Sequence, residues 1–170
     1  MPSAHAQTVI TNTLNGTFYY DASQSITSIA LAQGFIAKNA PTGVFTATQS
    51  LLDNPGYNGN DNSTVKGFLG TDGNSYVGNN TNLQDGIFDL KAFVNVPAAN
   101  SYTFRLGSDD GSALFVDGKE VINNDGVHAY ANLFGSDALT AGQHSVEVLY
   151  FNHSYQGVKA RLTSKRPLAG

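Results

Sequence analysis

Two adjacent acids, Asp109 and Asp110, form the group with the clearest chemical potential in this sequence. Calcium takes about six to eight oxygen ligands in proteins, and neighbouring carboxylates are suitable ligands for it. Successive side chains of a strand point to opposite faces, so both acids can reach one ion only where the backbone bends sharply between them. Gly107 and Gly111 flank the pair and permit such a bend. Without further context, an Asp-Asp-Gly sequence is more typical of a solvated turn.

Motifs for other metals and for catalysis are absent from the sequence. The chain has no cysteine, which excludes a disulfide scaffold, a thiolate zinc site and a cysteine nucleophile. It contains neither a G-x-S-x-G nor an H-E-x-x-H motif. An EF-hand over 109–120 fails because Gly111, Ala113 and Leu114 stand where two oxygen ligands and a glycine are required. Adjacent acids are too close for the glycosidase pair, whose carboxyl groups lie about 5 Å or more apart. We therefore expect no catalytic residues and no enzyme.

Strand patterns dominate the elements that must position the two acids. Two apolar runs surround the turn Asp117-Gly118, which indicates a β-hairpin. The predicted strands span residues 16–20, 87–96, 102–106, 112–116, 120–122, 145–151 and 158–162. Strands at this spacing, joined by Gly- and Asn-rich turns, favour an antiparallel sandwich or barrel.

One short helix and one long loop complete the predicted elements. Ser23 or Ser25 can cap the start of the helix, and Gly34 can end it. The residues that share one face of this helix are Ile26, Ile29, Ala30 and Gln33. The stretch 53–83 is rich in Asn, Gly, Asp, Ser and Thr, which predicts an irregular surface loop. The acids that leave a second calcium site as an alternative are Asp53, Asp61, Asp72 and Asp85.

The composition indicates a single soluble domain over residues 1–170. Hydrophobic residues make up 41% of the chain, and 10 Phe and 8 Tyr can supply a core. Nine basic residues are scattered and the net charge is −4, so we expect no nucleic acid partner. No apolar run approaches the roughly 20 residues of a membrane span. The N-terminal residues lack a signal-peptide pattern, so a domain that acts outside the cell is expected to be part of a larger exported chain.

The segment 102–119, YTFRLGSDDGSALFVDGK, resembles the PA14 domain family. The hallmark of that family is an aromatic strand, then Asp-Asp-Gly, then a strand that ends in Asp-Gly-Lys. Segments 121–128, 142–151 and 158–162 are similar to it too, and 16–20 matches more loosely. The resemblance implies an all-β fold, an antiparallel β-sandwich with long Asn- and Gly-rich loops and at most one or two short helices. The Asn-rich, cysteine-free composition is similar to the PA14 module of giant bacterial repeat adhesins of the RTX, ice-binding type.

The resemblance also implies a calcium site. Sugar-binding members of the family hold calcium on the Asp-Asp pair, joined by a cis peptide bond, and on a later loop that supplies an Asn side chain and two carbonyls. Carried onto this chain, the metal ligands are Asp109, Asp110, Asn152, Ser154 and Gln156. The implied sugar contacts are Asp109, Asp110, His128, Tyr155, Gln156 and Gly157. Position 156 lacks the aromatic residue of the flocculins, so the sugar they prefer is not implied here.

The implied function is calcium-dependent carbohydrate binding, in which vicinal hydroxyls of a hexose or deoxyhexose chelate the bound ion. The implied setting is the outer surface of a bacterium, as a lectin-like adhesion module of a larger adhesin. We expect the isolated domain to be monomeric. The alternatives are a structural PA14 spacer and an accessory binding module of a secreted hydrolase, with a true enzyme third.

Overall fold

A computed structural model describes residues 9–10, 13–47, 64–153 and 161–169, and the side chains of 13–47 and 64–153. The strands are β1 (Val9–Ile10), β2 (Leu14–Tyr20), β3 (Gly43–Ala47), β4 (Val77–Gly78), β5 (Gly86–Val96), β6 (Asn100–Asp109), β7 (Ser112–Val116), β8 (Lys119–Asn124), β9 (Ala131–Leu139), β10 (Gly142–Asn152) and β11 (Arg161–Ala169). The helices are α1 (Ile29–Ile36) and α2 (Val65–Leu69), followed by a 3-10 helix (Gly70–Ser75). This content confirms the predicted all-β fold with two short helices.

Within the described residues the strands form two antiparallel sheets. The larger sheet has the order β4-β3-β2-β5-β10-β7-β8, and β1 pairs with β5 beside it. The smaller sheet has the order β11-β6-β9. The long central pair β5 and β10 runs in register from Gly142 opposite Val96 to Asn152 opposite Gly86. The predicted antiparallel sandwich is therefore confirmed.

The main core lies between the two sheets. Alternate residues of β6 face it, and Tyr102, Phe104 and Leu106 are buried there. The large sheet contributes an aromatic cluster in which Phe88 stacks near Tyr150, with ring centroids 5.9 Å apart. Phe68 of α2 lies 4.9 Å from Phe88. Burial of such rings, together with their aliphatic neighbours, supplies the main stabilisation of the sandwich.

Helix α1 covers the other face of the large sheet. Ile29 and Ala32 are buried in a second cluster with Ala113, Leu149 and Phe151. The prediction of one helix here was right, but its ends were wrong. Its cap is Ser28, whose side chain accepts a hydrogen bond from Leu31 N, and the helix passes through Gly34 to Ile36.

Ser23 and Ser25 do not cap α1 because both are bound to a buried acid. The carboxylate of Asp21 accepts hydrogen bonds from the backbone N–H and the hydroxyl of each serine, at 2.6–2.9 Å. The serines therefore close the turn that follows β2, and α1 begins later in the chain.

The prediction of an irregular loop over 53–83 was wrong for its described part. Residues 64–83 contain α2, the 3-10 helix and β4. Val65, Phe68 and Leu69 are buried in the main core, and Thr64 caps α2 by accepting a hydrogen bond from Gly67 N. The apolar spacing i, i+3, i+4 places these three side chains on one helical face, a signal that the surrounding polar residues obscured.

Strands β1, β3, β4 and β9 were not predicted, and β11 has bounds other than those predicted. Strand β9 was missed because most of its side chains are exposed and its apolar residues do not alternate. The last strand begins at Arg161 and ends at Ala169, beyond the predicted 158–162, of which 158–160 lie outside the described residues. The predicted hairpin of β7 and β8 is confirmed, and both Asp117 and Gly118 have the positive φ that its tight turn requires.

Candidate functional site

The two acids lie where β6 ends and β7 has not yet begun. The peptide bond between Asp109 and Asp110 is cis, as the family resemblance implied. Asp110 is only 3% exposed. Its Oδ1 accepts a hydrogen bond from His128 N at 3.1 Å, and its Oδ2 accepts one from His153 N at 2.8 Å. Asp110 therefore joins the loop between β8 and β9 to the end of β10.

The bend after Asp110 depends on Gly111. A Cβ atom at this position would lie 2.3 Å from Cε1 of Phe151 and 2.9 Å from the carbonyl oxygen of Gly126. The Gly111 carbonyl also accepts a hydrogen bond from Phe151 N at 2.9 Å. Close approach of three segments therefore requires Gly111, whereas neither Gly107 nor Gly111 has the positive φ angle that the predicted role as a flexible flank would use.

A buried hydrogen-bond network supports the bend from beneath. The hydroxyls of Ser108 and Ser112 lie 2.7 Å apart, and both residues are fully buried. Asn124 Nδ2 donates to Ser108 Oγ at 2.9 Å and approaches Ala131 O at 3.3 Å. This network ties both strand ends that flank the acids to the end of β8. Its members can hold the two carboxylates in place without contacting a ligand.

The two carboxyl groups carry an electrostatic cost. Burial raises the pKa of Asp109, and the adjacent charge of Asp110 raises it further, against the hydrogen bond from Tyr130 N. Burial also raises the pKa of Asp110, although the backbone N–H groups of His153 and His128 oppose the rise. A cation held between them would favour the ionised form of both acids.

Asn152 lies at the end of β10, between two residues that hydrogen-bond to the 109–111 segment. It is 4% exposed, and its Nδ2 donates to Leu83 O at 3.2 Å. That bond fixes the orientation of the amide. Among the described residues, neither Oδ1 of Asn152 nor Oδ1 of Asp109 has a hydrogen-bond partner, although both atoms are buried. Buried oxygen atoms left without a donor are costly unless another group, such as a cation, satisfies them.

This donor set fits a calcium ion. The available groups are two carboxylates and an amide oxygen, which are ligands of the kind that calcium prefers. Three such residues do not complete a shell of six to eight oxygens. Across the parts of the chain that the structure describes, no group of three or more His, Cys, Asp or Glu is arranged to hold a metal. The described residues therefore offer part of a calcium shell.

The other predicted site residues divide into two groups. Ser154, Tyr155, Gln156 and Gly157 lie outside the described residues, so their roles stay predictions. His128 lies beside the acids, since its backbone N–H binds Asp110 and its ring binds the carbonyls of Asn124 and Ala129.

Two further histidines, His144 and His153, have defined partners. His144 is 8% exposed, and its Nδ1 lies 2.6 Å from Asp117 Oδ2. That contact holds the turn of the β7–β8 hairpin against β10. His153 is half-buried, and its Nδ1 lies 3.5 Å from Asp85 Oδ1. Both histidines therefore have structural contacts that their sequence context did not indicate.

The described residues do not support the alternative of a second calcium site. Asp53 and Asp61 lie outside them. Asp72 belongs to the 3-10 helix, whereas Asp85 is buried beside His153 near the end of β10. The two described acids thus have different surroundings, and the second site stays a prediction.

Sequence reasoning missed the backbone groups of the site. The N–H groups of His128, Tyr130 and His153 all donate to the two carboxylates. No residue type marks such donors. The one sequence feature that pointed to this loop is the run Asn123 to His128, which begins at the end of β8 and resembles the family pattern.

Comparison with known proteins assigns the fold. The PA14 domain model matches residues 38–168. This chain belongs to the PA14 domain family. A solved structure described as the PA14 sugar-binding domain from an RTX adhesin is 29% identical, covers 91% of this chain and 89% of that chain, and has a TM-score of 0.71.

Two further solved structures share the PA14 fold at lower identity. The PA14 domain of the MpAFP antifreeze protein is 17% identical, with coverage of 96% and 88% and a TM-score of 0.69. A subtype-switched epithelial adhesin A domain from Candida glabrata, in complex with beta-lactose, is 13% identical, with coverage of 93% and 80% and a TM-score of 0.52. No curated protein matches the chain at a significant level. In the described part of this PA14 domain, none of the helices has the length and apolar character needed to cross a membrane.

Proposed function

We propose that this PA14 domain is a non-catalytic carbohydrate-binding module whose site contains one calcium ion. The observation that carries the proposal is the pair of buried oxygen atoms, Oδ1 of Asp109 and Oδ1 of Asn152, that lack a hydrogen donor among the described residues. Both belong to residues that the sequence predicted as metal ligands. Their burial beside a second carboxylate, Asp110, favours a bound cation over solvent.

Similarity to a sugar-binding domain supports carbohydrate as the ligand class. The PA14 domain from the RTX adhesin covers nearly the whole of this chain at 29% identity. The origin of that domain in an adhesin also supports an adhesin-like, extracellular setting for this one. The proposed setting is a larger surface adhesin, and the isolated domain is proposed to be a monomer.

The chemistry of the proposed site follows from hard oxygen ligands. Asp109, Asp110 and Asn152 would hold the ion from one side, with carbonyls of Ser154 and Gln156 as further proposed ligands. The bound ion would supply positive charge that attracts vicinal hydroxyls of a hexose or deoxyhexose. Carboxylate oxygens of the two acids would accept hydrogen bonds from the same hydroxyls. His128, Tyr155 and Gly157 are the other proposed sugar contacts.

The expected affinity is weak because a monosaccharide buries little surface. A dissociation constant on the order of 1 mM corresponds to about 4 kcal/mol. Firm attachment would then come from many copies of the parent chain on one surface.

Retention on sugar-bearing resins tests the proposal. We expect the domain to be retained on at least one of glucose, mannose or fucose resin in millimolar calcium and released by a chelator. Retention that a chelator does not change would reject the calcium role. Free passage through all three resins with calcium present would favour the structural spacer.

A further inference from the structure

The loop between β8 and β9, residues 125–130, is held at both of its ends. At the inner end it contacts the acid pair through backbone groups. His128 N donates to Asp110 Oδ1 at 3.1 Å, and Tyr130 N donates to the carboxylate of Asp109. The His128 ring folds back on its own loop, with Nε2 3.1 Å from Asn124 O and Nδ1 2.8 Å from Ala129 O. The position of this loop therefore sets the position of two donors to the candidate ligands.

At its outer end the loop is fixed to helix α1. Oδ1 of Asp125 accepts a hydrogen bond from Ile29 N at 2.7 Å, across a separation of 96 residues. The same oxygen accepts one from Gly126 N at 2.7 Å. Asp125 N in turn donates to Asn123 Oδ1 at 3.2 Å. One exposed carboxylate thus joins the first turn of α1 to the beginning of the loop.

Helix α1 is itself anchored beside the acid pair. Ile29, which donates to Asp125, is buried in a cluster with Phe151. Phe151 packs against Gly111, which directly follows Asp110. The contact from Asp125 to Ile29 therefore closes a ring of contacts around the bend that carries the two carboxylates. Without the contact between Asp125 and Ile29, the loop would be held only at its inner end.

We propose that Asp125 is a positioning residue for the ion site: it holds the 125–130 loop so that the N–H groups of His128 and Tyr130 stay aimed at Asp110 and Asp109. This inference deepens the proposed function and rests on it for its effect on calcium. Groups that orient metal ligands typically change metal affinity by about 10–100-fold when removed. The competing explanation is that Asp125 only caps α1.

Ser28 provides a matched control for the helix cap. Its hydroxyl accepts a hydrogen bond from Leu31 N in the same first turn of α1, at 3.2 Å. Ser28→Ala therefore removes one side-chain cap from α1 and leaves the 125–130 loop intact. Asp125→Ala removes the other cap together with the support of the loop. Asp125→Asn keeps an oxygen acceptor of the same length and serves as the rescue variant.

The first measurement is amide hydrogen exchange of the whole domain in chelator, without calcium. We expect Asp125→Ala to speed exchange at the amides of His128 and Tyr130 by about tenfold or more, as loss of the support exposes them by local opening. Ser28→Ala and Asp125→Asn should leave these two amides near the wild-type rate. Equal exchange in Asp125→Ala and Ser28→Ala would overturn the positioning role.

The second measurement is the calcium dissociation constant, obtained by calorimetry on the same proteins. Asp125→Ala should weaken binding by about tenfold, whereas Ser28→Ala and Asp125→Asn should stay within about twofold. If the wild type takes up no calcium, the proposed function fails, and the exchange result still decides the role of Asp125. Asp125 is exposed, so its truncation leaves the core unchanged, and Asp125→Ser is the second truncation if Asp125→Ala does not fold.

Discussion

Aspartates lie at the ends of two strands in this PA14 domain, and their hydrogen-bond surroundings differ. Asp21, after β2, accepts four hydrogen bonds from Ser23 and Ser25 in its own turn. The pKa of Asp21 is lowered, because those hydrogen bonds together outweigh the opposing effect of burial. Asp109 and Asp110, at the end of β6, have raised pKa values because burial prevails, and the charge of Asp110 adds to the rise at Asp109.

The difference separates a structural acid from the two acids of the proposed ligand site. Hydrogen bonds from a short polar turn occupy both carboxylate oxygens of Asp21, so this carboxylate needs no ligand. Oδ1 of Asp109 stays buried without a donor among the described residues, and so does Oδ1 of Asn152. Burial alone therefore does not mark a binding site, and the buried oxygen without a donor is what motivates the proposal for the 109–110 pair.

The largest expected effect is a difference in function between Asp110 and Asp21. Asp110→Ala should abolish retention on the sugar resin and calcium uptake, because it removes a proposed ligand and the acceptor for His128 N and His153 N. Asp21→Ala should keep both activities and lower the free energy of unfolding by about 2 kcal/mol, the usual scale for hydrogen bonds to a charged group. Resin retention and urea unfolding of both variants measure this. Equal loss of retention in both would contradict the distinction.

The next effect concerns stability in the presence of calcium. An ion bound only by the folded state stabilises it by about 2.7 kcal/mol at 100 times the dissociation constant. We expect calcium to raise the melting temperature of the wild type and of Asp21→Ala but not of Asp110→Ala. Thermal unfolding with and without chelator measures this. Magnesium is the control ion, since it requires shorter, near-octahedral coordination.

A third effect tests the close packing at the bend. Gly111→Ala should lower the free energy of unfolding by about 1–3 kcal/mol, the usual range for overpacking, since its Cβ would clash with Phe151 and Gly126. Gly34→Ala is the matched control, because no atom lies within 4 Å of a Cβ at that position in α1. The control should stabilise the domain by up to about 1 kcal/mol. Urea unfolding that shows both variants unchanged would refute the packing argument.

The smallest effect involves a fourth acid, Asp117, which is half-exposed. The pKa of His144 is raised, chiefly by its hydrogen bond to Asp117, and the pKa of Asp117 is lowered chiefly by the same bond. Asp137 also faces His144 and adds to the rise. The His144 contribution to stability is complete below its unfolded pKa of about 6.5 and is lost as pH rises through the folded value. The Asp117 contribution is present above its unfolded pKa and is lost as pH falls through the folded value.

Thermal unfolding between about pH 6 and about pH 8 measures this dependence, which spans the titration of histidine. We expect the wild type to lose a small part of its stability over this range and His144→Gln to lose less. His128 titrates in both proteins, so its effect cancels in the difference. The same pH dependence in both proteins would show that the ion pair contributes nothing.

The sequence predicted most of the longer strands and the clear turn, but it missed the short alternating strand β3. Strand β5 and the β7–β8 hairpin were predicted because Ile87–Val96 alternates in part and Asp117-Gly118 is a strong turn signal. Strand β9 pairs mainly through its backbone and exposes Phe134, so its side chains do not show that it is a strand. Helix α2 is five residues long and lies in polar sequence, which is too short for a clear period.

For the site, the sequence predicted residue types but not the backbone donors. Asp109, Asp110 and Asn152 were predicted from the resemblance, and the fold brings the end of β10 against the bend that carries the acids. The contributions of Tyr130 N and Asp125 depend on the path of a loop and on contacts across 96 residues. Such contacts follow from tertiary packing and leave no local pattern.

Calorimetric titration of calcium into the chelator-stripped domain tests the central claim most directly, with Asp109→Asn as its partner. That substitution keeps the size of the side chain and removes its charge. We predict that the wild type binds one calcium ion per chain and that Asp109→Asn, with an unchanged circular dichroism spectrum, binds it far more weakly. A wild type without calcium uptake, or a variant that binds as tightly as the wild type, would contradict the assignment of the ion to Asp109 and Asp110.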